Sequence, residues 1–252
     1  MTLIKTTEEI AKMRTAGKIL SFVLDKVKMR VTAGITTKEL DNYAENLIRE
    51  QGGLPGFLNY KPAGATRPYP ATMCASINEI IVHGVPSNRI LRDGDLLKID
   101  LGVTYDGYNA DAAITIMMGN ASPEIDKLIH TTEKALMLAI EKARPKNTLG
   151  DIGAIIQATA HKAGLSVAKG LTGHGIGKLL HEEPSVMNEG VRGEGLRLEP
   201  GMTIAIEPMF TLGTSHIVQQ DDDSYAIADG SLSAHFEHTI LITKGSAEIL
   251  TQ

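Results

Sequence analysis

The sequence predicts an α+β fold in which pairs of helices alternate with antiparallel strands. Three observations support this class. The elements run in the order helix, helix, strands, helix, helix, strands; the clearest strand pair shares a two-residue turn; and no Pro/Ser-rich linker divides the 252 residues. Strands joined by tight turns pair antiparallel, whereas a doubly wound sheet places a helix after each strand. We therefore expect one domain over residues 1–252.

Two capping boxes mark the first pair of helices. Thr6 is followed three residues later by Glu9, and Thr36 by Glu39. In this motif the threonine accepts from the first turn of the helix and the glutamate bonds back to the threonine N–H. Apolar residues recur at helical spacing after the first box. The second helix is expected to end at the glycine pair 52–53, because glycine commonly follows a helix C-terminus.

Short sequence motifs also predict where the second pair of helices begins and ends. Ser122 and the proline after it predict an N-cap followed by the first helical turn. This third helix must end before Pro145, since a proline disfavours helix in the residue before it. Thr148, with Asp151 in its first turn, begins a fourth helix that runs to about Gly164.

Strand-like segments occupy the rest of the chain and are short or rich in β-branched residues. They are Ala71–Asn78, Glu79–Val85, Leu96–Met117, Met202–Phe210 and Ser233–Thr243. The segment Leu96–Met117 contains Asp-Gly at 106–107, the commonest signal for a two-residue hairpin turn. It is therefore predicted to be a hairpin.

The register of this hairpin predicts a pair of carboxylates. With Asp-Gly as the turn, Asp100 lies opposite Ala113 and Asp111 lies opposite Gly102. Asp100 and Asp111 are then diagonal neighbours on one face, about 7–8 Å apart. Carboxylates at this separation can converge on one metal ion or a close pair. The alternative is a solvated face, because acidic residues are mostly exposed.

Two glutamates repeat the pattern of an acid within an apolar strand. They are Glu207 in TIAIEPMF and Glu237 in SAHFEHTILI. Keeping a lone buried carboxylate ionised is costly. Four acids of this kind, together with His174 in a glycine-rich segment, form the oxygen-rich set with one imidazole that divalent cations bind. Two ions are expected, because four carboxylates around one ion would leave excess negative charge.

The glycine-rich segment TGHGIGKLLHEEP does not match a phosphate loop. Its glycines alternate at 173, 175 and 177, unlike the spacing of nucleotide-binding motifs. Such glycines remove side chains around His174 and let another group approach closely. The alternative is that His174 is an ordinary turn histidine.

Composition argues against several classes of function. The net charge of −5 gives no basic surface for nucleic acid. Cys74 is the only cysteine, so neither an internal disulfide nor a CxxC zinc site can form. The first 18 residues are charged and lack an apolar signal core, and no apolar run reaches 18 residues. We expect a cytoplasmic protein without a membrane span.

Several motifs together resemble type I methionine aminopeptidases of peptidase family M24. They are SINEIIVHGVP, DGDLLKIDLGVTYDGYNADAAIT, LTGHGIGKLLHEEP, EPGMTIAIEPM and DGSLSAHFEHTILIT. They follow the family's order and cover essentially the whole chain. The resemblance implies the pita-bread (creatinase/aminopeptidase) fold: an antiparallel sheet flanked by two pairs of helices with pseudo-two-fold symmetry.

The resemblance also implies a dinuclear metal site. By this resemblance, Asp111 and Glu237 bridge both metals, and Asp100 binds one of them. His174 and Glu207 bind the other metal.

The same resemblance implies the catalytic and substrate-binding residues. His83 matches the histidine near the substrate amine and the scissile nitrogen, and His181 matches the one that hydrogen-bonds the substrate carbonyl. Glu207 matches the residue that shuttles a proton from the attacking water. Cys74 and Tyr69 match residues of the methionine pocket.

The implied activity is removal of N-terminal methionine from nascent polypeptides whose second residue is small. The water would be activated by two divalent ions, with Co²⁺, Mn²⁺, Fe²⁺ and Zn²⁺ all suited to these ligands. Family likeness implies a monomer, and action on nascent chains implies a ribosomal partner.

Three features depart from the family pattern. Leu180 replaces an aromatic residue before His181, and Asp223 stands near the position of a missing tryptophan. The segment Leu58–Pro70, which contains the predicted loop Pro62–Pro70, is longer than usual. Two alternatives remain at this point. A proline-specific peptidase of the same fold would usually carry an extra N-terminal domain. A metal-free binding protein would be expected to lack ligands that this chain retains.

Overall fold

The computed structural model describes residues 3–61 and 67–252. Residues 62–66, within the predicted loop Pro62–Pro70, lie outside the described residues. The four predicted helices are confirmed. They are α1 (Thr7–Arg30), α2 (Thr37–Glu50), α3 (Pro123–Lys142) and α4 (Leu149–Lys162).

Local hydrogen bonds account for the helix boundaries. The side chains of Thr6, Thr36 and Thr148 each accept from the third helical residue, whose acidic side chain bonds back. Ser122 accepts from the N–H of Ile125 at the start of α3. These bonds satisfy N–H groups that a helix leaves unpaired at its start. None of the described helices has both the length and the apolar character needed to cross a bilayer.

The described strands are short except for the central hairpin. They are β1 (Leu54–Pro55), β2 (Met73–Ile77), β3 (Ile80–Val82), β4 (Leu96–Tyr105), β5 (Tyr108–Met117), β6 (Ser166–Val167), β7 (Thr172–Gly175), β8 (Glu182–Met187), β9 (Thr203–Ile206), β10 (Met209–Thr211), β11 (Ile217–Gln219), β12 (Tyr225–Ile227), β13 (Ser233–His235), β14 (Glu237–Ile242) and β15 (Ala247–Ile249).

A nine-stranded sheet is the framework of the molecule. Its order is β1-β4-β5-β14-β9-β7-β8, with β2 beside β4 and β15 beside β14. Two three-stranded sheets, β13-β10-β6 and β11-β12-β3, adjoin it. Every pairing between these described strands is antiparallel. This arrangement confirms the predicted α+β class.

Each pair of helices buries its own apolar cluster against the large sheet. Leu20 of α1 and Leu40 of α2 pack with Ile99 of β4. Leu136 of α3 and Ile156 of α4 belong to a second cluster, which includes strands β9 and β14. Burial of these apolar faces drives the packing, so the two halves of the chain meet along the middle of the sheet.

Two segments predicted as single strands are broken. Met202–Phe210 divides at Glu207-Pro208, with β9 in the large sheet and β10 in a small one. Ser233–Thr243 divides at Phe236 in the same way, into β13 and β14. Pro208 has no N–H for a strand ladder, which explains the first break. Glu207 therefore lies at a corner between two sheets rather than inside a strand.

Candidate metal centre and active site

The five predicted metal ligands come from five adjacent strands of the large sheet. In the spatial order β4, β5, β14, β9 and β7, the strands or their ends carry Asp100, Asp111, Glu237, Glu207 and His174. These residues are widely separated in the sequence. The order of the strands brings them to one place in the middle of the sheet.

Strand register brings three of the carboxylates together. Ala113 of β5 lies opposite Asp100 on one side and opposite Glu237 on the other. Asp111 is two residues from Ala113 and therefore faces the same side of the sheet. Oxygen atoms of these three acids lie within 4.8 Å of one another. The predicted register and diagonal placement of the hairpin pair are confirmed.

His174 and Glu207 form the other side of the cluster. His174 lies opposite Ala205 in the β7–β9 pairing, and Glu207 is two residues beyond Ala205. His174 Nε2 is 3.7 Å from Glu207 Oε1 and 4.0 Å from Asp111 Oδ2. His174 Nδ1 is 2.9 Å from the carbonyl oxygen of Gly175 and donates to it in the matching tautomer. This contact leaves the Nε2 lone pair free to bind a cation.

Burial gives the four acids abnormal proton affinities. Loss of hydration raises the pKa of Asp100 to about 6 and that of Glu207 to about 7. It also raises the pKa of Asp111 and Glu237 well above the ordinary range, and the neighbouring carboxylates add to the shift. Four acids this close, three of them buried and Glu207 partly buried, cannot all be ionised without compensating positive charge.

The donor set fits divalent cations. Asp100 Oδ1, Asp111 Oδ1 and Glu237 Oε1 are buried and have no hydrogen-bond partner among the described residues. Buried acceptors without partners are costly. Carboxylate oxygens with one imidazole nitrogen suit transition-metal or other divalent ions. Cations at this position would satisfy these oxygens and balance their charge.

A cavity of about 1240 Å³ opens onto the acids and contains both predicted catalytic histidines. The ring of His181 lies edge-on to that of His174, with centroids 4.3 Å apart. Its Nδ1 is 2.8 Å from the hydroxyl of Tyr60. His83 has a left-handed backbone with φ of 62° and packs edge-on against Tyr225, with centroids 5.8 Å apart. Both histidines therefore face the same space as the acids.

These two histidines are neutral at pH 7. Burial lowers the pKa of His83 to about 4 and that of His181 to about 3. A neutral imidazole has one donor and one acceptor nitrogen. Each ring can thus donate to one polar atom of a substrate without the cost of burying a charge.

The predicted pocket residues line the same cavity. Cys74 lies opposite Asp100 in the β2–β4 pairing and is buried, which raises the pKa of its thiol. The hydroxyl oxygen of Tyr69 lies 3.0 Å from the backbone oxygens of both Met73 and Gly84, which share its single proton. Leu180 packs with Cys74 in a small apolar cluster. The wall beside the acids is thus apolar.

The three alternating glycines make room for protein rather than for a ligand. A Cβ at Gly173 would overlap the carbonyl oxygen of Ala205, and one at Gly175 would overlap that of Glu183. A Cβ at Gly177 would overlap the side chain of Lys5. The close approach predicted around His174 is confirmed. The missing side chains at Gly173 and Gly175 let β7 pack closely between β8 and β9.

The structure adds residues to the site that the sequence reading missed. His235 is 1% exposed and points its Nε2 at Glu207 and Glu237. The sequence feature that could have found His235 is its place two residues before the predicted ligand Glu237 in SAHFEH. At the rim, Arg67 Nε donates to Asp223 Oδ2 over 3.0 Å. Asp223 occupies a turn between β11 and β12.

The comparisons with known proteins agree with this geometry. The model of metallopeptidase family M24 matches residues 11–244. The chain belongs to that family. Similar curated relatives include a methionine aminopeptidase of Clostridium perfringens, 44% identical over 100% of this chain and 99% of the relative. Another from Aquifex aeolicus is 43% identical over 97% of this chain and 96% of the relative.

Solved structures of the M24 fold separate into two groups. A methionine aminopeptidase of Rickettsia prowazekii superimposes with a TM-score of 0.94 at 38% identity and covers 99% of both chains. A prolidase of Pyrococcus furiosus gives a TM-score of 0.78 at 25% identity, with 99% of this chain but 65% of the prolidase covered. The pita-bread fold expected from the sequence is confirmed.

Proposed function

We propose that this M24 metallopeptidase is a methionine aminopeptidase that removes N-terminal methionine when the second residue is small. The observation that carries the proposal is the convergence of three buried carboxylates, the partly buried Glu207 and His174 on the floor of a peptide-sized cavity. Full-length similarity to proteins named methionine aminopeptidase supports the substrate class. Residues 1–252 are proposed to form one catalytic domain.

Two divalent ions are proposed as cofactors, and Asp111 and Glu237 would contribute to holding both of them. Asp100 would complete one ion's ligands, and His174 and Glu207 those of the other. When bound, such ions lower the pKa of water and polarise the scissile carbonyl. Co²⁺, Mn²⁺, Fe²⁺ and Zn²⁺ all accept this mixture of oxygen and nitrogen ligands.

Three side chains are proposed to act on the substrate and the attacking water. Glu207 accepts the proton of the attacking water and passes it towards the leaving amine. His181 donates a hydrogen bond to the substrate carbonyl, where negative charge develops. Tyr60, which contacts His181 Nδ1, favours the tautomer with the proton on Nε2. His83 donates near the scissile nitrogen.

Specificity for methionine is proposed to come from the apolar wall of the cavity. Cys74, Tyr69 and Leu180 present apolar atoms beside the predicted metal ligands. A linear thioether side chain fits such a wall, whereas a charged side chain would lose hydration there. A bulky second residue would collide with the histidines that flank the ligands.

The proposed setting is the cytoplasm, with the chain acting as a monomer on nascent polypeptides at or near the ribosome. The need to process new N-termini motivates this setting. Co-sedimentation of the purified protein with ribosomes would test the association, and absence of binding would remove that part of the proposal.

The decisive experiment measures release of methionine from Met-Ala-Ser by metal-stripped protein reloaded in turn with Co²⁺, Mn²⁺, Fe²⁺ or Zn²⁺. An Ala-Pro peptide is assayed alongside. Metal-dependent cleavage of the first peptide alone is expected. Cleavage of the second peptide alone would instead assign a proline-specific peptidase.

Two variants test the ligand assignment. Asp100→Asn and Glu237→Gln replace predicted ligands with neutral side chains of the same shape. Both are expected to lose metal binding and turnover while keeping the folded circular dichroism spectrum. Full turnover of either variant at matched metal loading would contradict the dinuclear site.

A further inference from the structure

His235 lies against the predicted metal ligands without a role in the proposed reaction. It is 1% exposed, and neither ring nitrogen has a hydrogen-bond partner among the described residues. A buried imidazole with both nitrogens unpaired is unfavourable, and such groups usually indicate a missing partner at a functional site.

The backbone holds the His235 ring in a defined place. His235 is the last residue of β13, where it lies opposite Met209 of β10. Its N–H donates to Thr115 Oγ1 over 2.9 Å, and its carbonyl oxygen accepts from the same hydroxyl over 2.6 Å. These bonds tie the corner between β13 and β14 to β5, which carries Asp111. The position of the His235 backbone beside the acids is therefore determined by the sheet.

The two carboxylate oxygens of Glu207 lie next to different histidines. His235 Nε2 lies 3.4 Å from Glu207 Oε2, while His174 Nε2 lies 3.7 Å from Glu207 Oε1. A shift of about half an ångström would bring His235 Nε2 to hydrogen-bond distance from Oε2. Among the described residues, the groups that could share one ion include His174 with Glu207 and Glu237, but not His235.

We propose that His235 is a positioning residue whose Nε2–H donates to Glu207 Oε2 and turns Oε1 towards the metal ion beside His174. The proposal rests on the proposed function, because it takes Glu207 to be a ligand. A partner of this kind fixes the orientation of a ligating carboxylate and strengthens metal binding. His235 itself would not bind the ion.

The first test compares Mn²⁺ binding by isothermal titration calorimetry in wild type, His235→Leu and His235→Gln. The leucine variant keeps similar volume but has no donor, whereas the amide of glutamine places an N–H near the former Nε2. Loss of an outer partner typically costs 10- to 100-fold in metal affinity. We expect that loss at one of the two sites of His235→Leu, and recovery to within several-fold of wild type in His235→Gln.

His238→Gln is the matched control. His238 follows closely in β14 and is hydrogen-bonded to Thr251 Oγ1 at 2.9 Å instead of to the acids. Its Mn²⁺ affinity should equal that of wild type. Wild-type affinity in His235→Leu would overturn the proposal. Equal weakening in His235→Leu and His235→Gln would also overturn it, because it would make His235 a ligand.

A second test is made on wild type, and a variant serves only to assign the signal. In Zn²⁺-loaded wild type with ¹⁵N-labelled histidine, the Nε2 of His235 should keep its proton, because a donor nitrogen stays protonated. A ligand nitrogen would lose the proton, and that result would overturn the proposal. The signal is assigned from its loss in His235→Gln.

Metal binding and methionine release by wild type distinguish a failure of the proposed function from a failure of the role proposed for His235. Absence of metal binding and of methionine release by wild type would end the proposed function, and this inference with it. Normal wild-type turnover with no response to His235→Leu would end this inference alone.

Discussion

Glu207 shows how the environment of a single residue changes its chemistry. It lies at the corner between β9 and β10, and burial raises the pKa of its carboxyl group to about 7. In metal-free protein the carboxyl group is therefore only about half ionised at neutral pH. The local sequence predicts an acid in an apolar context. The two histidines on either side of it come from distant segments.

The raised pKa of Glu207 predicts a pH dependence of stability. A carboxyl group whose pKa is higher in the folded than in the unfolded state favours folding at low pH. That contribution is lost as the pH rises from the unfolded pKa, about 4.3, through the folded pKa of about 7. We expect metal-free wild type to lose stability relative to Glu207→Gln between these values. Urea unfolding with a chelator present measures the difference.

Glu248 serves as the control, because its contribution to stability is expected to increase, rather than decrease, as the pH rises. Hydrogen bonds from Arg14, both 2.7 Å long, lower the pKa of Glu248. Wild type should therefore gain stability relative to Glu248→Gln as the pH rises through the acidic range. Parallel pH profiles for wild type and Glu207→Gln would contradict the proton affinity inferred for Glu207.

Strand β7 can hold His174 at the site only because its glycines allow close packing against neighbouring strands. It carries His174 between β8 and β9, and the backbone of β9 lies so close that only glycine fits at Gly173. The glycine spacing predicted a close approach. It did not identify the neighbour, because that depends on which strand lies beside β7 in the sheet.

Substitution of Gly173 tests this packing. In Gly173→Ala the methyl group would overlap the carbonyl oxygen of Ala205 and push β7 away from β9. Overpacking of this kind typically costs about 1–3 kcal/mol. Because His174 moves with the strand, metal affinity should fall as well. Urea unfolding and metal titration measure the two effects.

Gly245→Ala is the control for this substitution. Nothing lies within 4 Å of a Cβ added at Gly245, and its backbone is not in the left-handed region. The change should leave both stability and metal affinity close to wild type. Equal effects of the two substitutions would show that backbone entropy, rather than contact with β9, explains the glycine at 173.

Helices and strands differ in how well the sequence predicts them here. The starts of α1, α2 and α4 were predicted because the Thr and acidic residues of each capping box are three positions apart. The corners at Glu207-Pro208 and Phe236 were not, because the apolar pattern continues across them. Whether an apolar run stays in one sheet depends on its neighbours, which lie far away in the sequence.

At the scale of the whole molecule, the metal cluster joins the two halves of the chain. Asp100 and Asp111 belong to the half that contains α1 and α2, whereas His174 comes from the half with α3 and α4. Bound ions would therefore connect both apolar clusters through the central strands. Metal binding is expected to stabilise the entire fold.

This coupling predicts a rise in thermal stability with metal. A ligand that binds only the folded state at 100 times its dissociation constant adds about 2.7 kcal/mol. At pH 7.5, Mn²⁺ should raise the Tm of wild type in one cooperative transition, and a chelator should reverse the rise. Differential scanning calorimetry measures both changes. The Asp111→Asn variant should show a much smaller response, and an equal rise in that variant would contradict binding at the proposed cluster.

The sequence alone determined the helix starts and the hairpin register, and its motifs offered most of the acids and histidines as candidates. The helix starts and the register depend on contacts between residues near one another in the chain. Only the tertiary structure decided which strands are neighbours. That order places Glu237 between Asp111 and Glu207, and it turns His235 and Tyr60 towards the site. The physical reason is that sheet order is set by packing of the two apolar clusters, which no local pattern encodes.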